Sequence, residues 1–252
     1  MRLFVLALLL LLSLSTTSAA AQSPLAAEAR AFASRYHEDP ARIDRLRAAL
    51  TEAVGADPHV ANLLALAEIS FIWGDIRATT DDEKLAAYDQ GREAARRAIE
   101  RAPQDVVAHF WYATNTGRWG QTKGVTRSLF LLPTVKREID TMLALDARFA
   151  PIYALAGHVY YEVPGLLGGD LDRAEQMFRT GLRLEPTFTN MRVGLAKTLA
   201  KRGRVAEARQ ELAAVLAERT PHNPATWTLK DAPEARALLA TLGGGPTRDP
   251  PR

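Results

Sequence analysis

The sequence predicts an all-α protein, a stacked array of antiparallel helix pairs closed by a capping helix at each end. Three observations predict it. Matching segments recur along the chain at an offset of 34 residues. Helix-start and helix-stop signals punctuate the chain at short intervals. Runs of alternating Val, Ile, Thr and aromatic residues, the mark of strands, are nearly absent.

The chain opens with Arg2 and an apolar run over residues 3–14 broken only by Ser13. Small polar residues follow, and Ala19-Ala20-Ala21 precede Gln22, as at a signal-peptidase site. The run falls short of the ~20 residues that a membrane span needs. Residues 1–21 are therefore expected to be a secretory signal, 22–242 a helical domain and 243–252 a Gly/Pro-rich tail, in a soluble exported protein. The 252-residue chain has no cysteine. That excludes disulfides, thiolate metal sites, a cysteine nucleophile and a lipid anchor on cysteine. A net charge of +3, with signs alternating along the chain, gives no footprint for nucleic acid.

The repeat is read from two alignments. Leu145-Asp146-x-x-Phe149 matches Leu184-Glu185-x-x-Phe188 at an offset of 39 residues, while Leu171-x-x-Ala174 matches Val205-x-x-Ala208, with Phe178 against Leu212, at 34. The difference puts a five-residue insertion into the inter-helix turn at 163–168. Ala156, Gly157, Ala174 and Ala208 stand where helices must approach closely. Phe178 and Leu212 fill the space between units, and Pro186 and Pro221 follow the second helices. The stretches from Gly169 and from Gly203 resemble the turn and second helix of the tetratricopeptide repeat, whose period is 34 residues. Two clear units and two blurred ones, stretched near 75–83 and 117–125, cover about 57–221. Asp39-Pro40 and Asp57-Pro58 read as helix starts. Thr80 to Glu83 and Asp231 to Glu234 read as capping boxes, and Gly55 and Gly203 as left-handed helix ends. Helices near 25–38 and 233–242 are expected to cap the array, whose ends cannot otherwise bury their apolar faces.

No catalytic constellation is present. None of the serines lies in a G-x-S-x-G elbow, and the glycines at 165–169 lead to Asp170 where a phosphate would need a cation. His158 and Glu162 are one helical turn apart, with His109 in the preceding unit, too few ligands for a metal site. No enzyme activity, metal or cofactor is expected. What remains is aromatic: His109 to Gly120 holds two of the chain's four Trp residues. Trp111 and Asn115 lie one turn apart, with Trp119 a further turn on. Together with Tyr160 they could line a groove, aromatics giving contact area and Asn a polar anchor. Trp111 fits inter-repeat core equally well. Asn115 and Trp119 fit a groove better, because Asn is a poor helix-interior residue unless its amide is hydrogen-bonded.

The block 110–178 carries a narrower pattern. The stretch Phe-Trp-Tyr-Ala-Thr-Asn-Thr-Gly-Arg-Trp-Gly at 110–120, Gly157-His158-x-Tyr160 and Pro164-Gly165-x-x-Gly168-Gly169-Asp170 together resemble the TatT family. These are tetratricopeptide proteins associated with tripartite ATP-independent periplasmic (TRAP) transporters. The resemblance implies a periplasmic scaffold that docks a TRAP-type solute-binding protein, with binding or delivery of a small apolar ligand as a further implication. The family's motif positions here are Trp111, Asn115, Trp119, Gly157, Pro164, Gly168, Gly169 and Asp170; all of these but Gly157, with Tyr160 from the aromatic groove, are the candidate partner- or ligand-binding residues. Family members are often lipid-anchored, and this chain lacks the cysteine for it. A periplasmic adaptor for envelope assembly, without a transport role, is the alternative.

Overall fold

A computed structural model describes residues 23–243. The expected signal at 1–21 and nearly all of the tail at 243–252 lie outside the described residues. Helices run antiparallel in pairs: α1 (Pro24–Phe32) with α2 (Ala41–Ala56), α3 (Val60–Ile76) with α4 (Asp81–Arg101), and α5 (Val106–Lys123) with α6 (Val125–Leu145). The series continues with α7 (Pro151–Glu162) and α8 (Leu171–Leu184), then α9 (Thr189–Lys201) and α10 (Val205–Ala217). Last come a single turn α11 (Pro224–Thr226), a π-turn (Trp227–Asp231) and α12 (Ala232–Gly243). No strand occurs among the described residues. The first helices of successive pairs pack on one another, α1 on α3, α3 on α5, α5 on α7 and α7 on α9, forming the inner layer.

Local chemistry explains the element ends. Thr80 accepts from the Glu83 amide while Glu83 reaches back to the Thr80 amide, completing the expected capping box. Gly203 adopts the expected positive φ. Other boundaries differ from expectation. α3 starts at Val60 behind a His59 cap, not at Pro58, and Pro40 stands at the cap of α2 with no side-chain bond. Gly55 lies within α2 in ordinary helical conformation. Asp231 caps nothing, because the π-turn runs unbroken into α12 and leaves no free first-turn amides; its buried carboxylate accepts from the Thr189 hydroxyl at 2.6 Å instead. The stretch 117–125 is not a loop. It lengthens α5 and α6, which meet at Gly124 with φ 104°. The N-terminal cap is helical only over Pro24–Phe32.

The core is built from close approaches. Ala156, Ala174, Ala208, Phe178 and Leu212 are all buried, so the repeat register read from the sequence holds. The Phe178 ring on α8 lies over Gly157 of α7 and Gly194 of α9, and a Cβ placed on Gly157 would stand 2.6 Å from the ring. One aromatic therefore pins three helices.

Gly157→Ala should consequently destabilise the fold by about 1–3 kcal/mol, the usual cost of overpacking. Thermal unfolding at the wild-type midpoint would show that the ring is not wedged.

Candidate functional site

The predicted site residues separate into three places. Trp111 packs beside Phe71 of α3, ring centroids 5.5 Å apart, and edge-on to Phe110 at 5.0 Å. This is the core alternative left open for it. Asn115 is fully buried and faces no groove. Its amide donates to the Ala67 carbonyl of α3 at 3.2 Å and to the Trp111 carbonyl at 2.9 Å. Its side chain fills the space over Gly91 of α4, where a Cβ would meet Oδ1 at 2.5 Å. The Trp–Asn–Trp face is thus divided, because one turn of helix advances each residue by about 40° and α3 and α4 cover the middle position. Trp119 sits at the end of α5, with Arg92, Lys123 and Arg127 about its ring at 5.0, 5.8 and 5.8 Å.

The remaining residues do gather. The Tyr160 carbonyl accepts from the Asp170 amide at 2.9 Å, and the Pro164 carbonyl accepts from the Leu167 and Gly169 amides at 2.8 and 3.1 Å. Asp170 caps α8, accepting from the Asp172 and Arg173 amides at 2.9 and 3.0 Å. Gly168 has φ 94°, and a Cβ on Gly169 would collide with the Val163 carbonyl. The glycines therefore serve the turn itself. The Tyr160 ring lies under Lys136 and Arg173 at 5.8 and 5.7 Å. The tightly bonded turn holds Leu166 fully exposed and Leu167 half-exposed.

This turn forms the foot of a ledge. Lys136 of α6 donates to the Gly168 carbonyl at 3.2 Å, so the α7–α8 turn is level with position 136. α6 begins at Val125, eleven residues earlier. It therefore overhangs its neighbour by about 16 Å. Val125, Leu129, Pro133 and Lys136 follow helical spacing on one face above the turn. Val125 and Pro133 are exposed and Leu129 is half-buried. An apolar wall thus rises over a foot of two exposed leucines. The spacing of these residues was readable in the sequence. Their exposure was not, because it arises from the shortness of α7.

The inner layer holds a second cluster that the sequence did not signal. Asp75 of α3 accepts from Arg118 at 2.5 Å, from the Tyr88 hydroxyl at 2.6 Å and from Lys230 of the π-turn. Burial would push its carboxyl up, but Arg118 and Lys230 outweigh this and hold it below the ordinary range. Nearby contacts join the first and last elements of the described array: Ala225 donates to the Ser34 carbonyl at 3.0 Å and Asn223 to the Ala33 carbonyl at 3.1 Å. Two turns earlier on α3, burial pushes the half-buried Glu68 carboxyl up to about 7 against the pull of Arg30. His158 is bonded to Asn190 at 2.9 Å, and both His109 nitrogens face acceptors. No metal-binding group is formed among the described residues.

A family model described as regulator of microtubule dynamics protein 1-3 matches residues 24–167. The chain belongs to this family. A tetratricopeptide-repeat model matches residues 166–242, so the regulator family's segment and the repeat segment together span the described array. Among curated relatives, the rat regulator of microtubule dynamics protein 3 is 25% identical over 195 residues, covering 67% of this chain and 41% of that protein. Rat protein 2 of the same name is 29% identical over 107 residues, covering 39% of this chain and 26% of that protein. The chain spans about two fifths or less of the length of these relatives. Among solved structures, a thermophilic TPR protein of Thermus thermophilus superposes with a TM-score of 0.63 at 18% identity, covering 86% of this chain and 98% of that one. Pseudomonas aeruginosa pilF gives 0.51 at 17%, covering 86% and 90%. These likenesses show the tetratricopeptide fold.

Two measurements test this geometry. Asn115→Ala and Gly91→Ala should each cost about 1–3 kcal/mol, one by a cavity and a lost hydrogen bond, the other by overpacking. Combined, they should cost less than their sum by ~1 kcal/mol or more, since the new methyl enters the vacated space. Strict additivity would break the interlock. The second test uses Glu68. A carboxyl raised from 4.5 to about 7 favours folding while protonated, a contribution complete below 4.5 and lost as pH rises through about 7. Glu68→Gln should therefore melt like wild type near pH 4.5 and ~3 °C or more higher at about pH 8. Asp231, which burial pushes up to about 6, leaves a residual dependence of the same sign.

Proposed function

We propose that this chain is a non-catalytic scaffold acting outside the cytoplasm, which docks a protein partner on the ledge formed by α6 and the α7–α8 turn. The partner class is a TRAP-type solute-binding protein, as the TatT resemblance of the same turn implies. The observation that carries the reading is the ledge itself. Val125, Pro133, Leu166 and Leu167 are exposed on helical or hydrogen-bonded turn backbone, where their contact with water is unfavourable. An apolar surface held open by a hydrogen-bonded turn is pre-organised for a partner. Lys136 and Arg173 at the rim favour a partner with acids beside its apolar contact. The export signal read at residues 1–21 supports the compartment. The longer relatives are named regulators of microtubule dynamics, so polymerised tubulin is set beside the solute-binding protein in the same assay.

Leu166→Asp combined with Val125→Asp should reduce capture of the solute-binding protein by roughly thirtyfold, the scale of losing an interface anchor, with melting unchanged. Undiminished capture by the folded double variant would remove the ledge. Capture of tubulin alone would replace the transport reading with the regulator one.

A further inference from the structure

We infer that the tip of the α5–α6 hairpin docks on an anionic lipid surface. Val125 and the overhang belong also to the ledge; what sets the tip apart is its charge. The alternation of charge sign along the chain fails in one stretch: from Val106 to Arg137 the sequence contains no Asp or Glu and five Arg or Lys residues. Arg118 is tied to Asp75. Among the described residues, Lys123, Arg127, Lys136 and Arg137 pair with no carboxylate, although twenty ion-pair contacts form elsewhere. On the packed neighbour α4, Asp81 is engaged by Lys84, Glu83 by the Thr79–Thr80 cap and Asp89 by Arg92, and the exposed Asp82 is the one first-turn acid there without an ion pair or hydrogen bond among the described residues.

Shape gives the second argument. The hairpin turns at Gly124 and overhangs the next unit by about 16 Å, so its tip is convex and projects. At that tip Val125 and Phe130 are each 73% exposed. Lys123, Thr126, Arg127 and Phe130 surround a shallow hollow of about 330 Å³. The Arg127 guanidinium lies within 6 Å of both the Trp119 and Phe130 ring centres. Aromatic and aliphatic side chains on a projecting turn, ringed by unpaired cations, match the interfacial layer of an anionic bilayer. The apolar groups enter among the headgroups while the cations meet phosphates. An acidic protein would match the charge but would leave Phe130 and Val125, on a convex point, with little to enclose them.

The test is sedimentation of the full chain with phosphatidylcholine vesicles, with and without roughly one-third phosphatidylglycerol, at low and high salt. Residues 3–14 would partition into any vesicle, so the readout is the difference between anionic and neutral vesicles. Wild type should prefer anionic vesicles at least tenfold at low salt, and lose that preference at high salt. Lys123→Glu with Arg127→Glu should abolish the preference, and Phe130→Ala should weaken it severalfold, with wild-type melting in both. Equal binding to the two vesicle types, or an undiminished preference in the folded charge-reversed variant, overturns the inference. So does tip-dependent capture of an acidic protein when the vesicle preference is absent.

Discussion

The structure depends on helices that approach closely enough for one side chain to enter the notch left by a glycine on its neighbour. Tyr88 over Gly74, Asn115 over Gly91, and Phe178 over Gly157 and Gly194 repeat this arrangement in successive pairs. Helix axes that pack this closely gain dispersion contacts along their length, and the inserted group sets the register of both helices. A repeat array has no long-range core to correct errors, so each interface must specify its own geometry. The protruding group is aromatic in two of these cases and an amide in the third. The amide can occupy that place because its hydrogens reach the Ala67 and Trp111 carbonyls.

An array built only from nearest-neighbour interfaces would leave its first and last elements apart, yet in the described residues they meet. Asp75 gathers Arg118, Tyr88 and Lys230 from three different elements around one carboxylate. A buried charge with three donors is well solvated by the protein, and breaking any one contact leaves the others holding a partly bare charge. Contacts from Asn223 and Ala225 to the backbone at 33–34 close the same seam. The inner layer is thereby packed with its own side chains. The most exposed of the large apolar side chains, Val125, Phe130 and Leu166, stand on α6 and the α7–α8 turn, where both proposed surfaces lie.

The repeat register was legible because it rests on small residues at fixed spacing, and Ala174, Ala208, Phe178 and Leu212 occupy the places their spacing assigns. The Pro-Gly turn was legible for a similar reason: Gly168 needs positive φ, and Gly169 has no room for a side chain. The tryptophan stripe was misread at Asn115. Spacing along one helix says which residues share a face, but not which neighbour covers that face. The polar anchor inferred there is real, and it is spent on α3.

By itself the sequence determined an all-α repeat, its period and register, its principal turn, and the surplus of cations over acids at 106–137, since each of these depends on residue identity at short range. Tertiary structure alone decided the burial of Asn115, the gathering of Tyr160, Lys136 and Asp170 around one turn, the meeting of residue 75 with residue 230, and the overhang that exposes Val125 and Phe130. These depend on the relative lengths and placement of helices distant in sequence. A side chain is core or surface only once its neighbour's end is known.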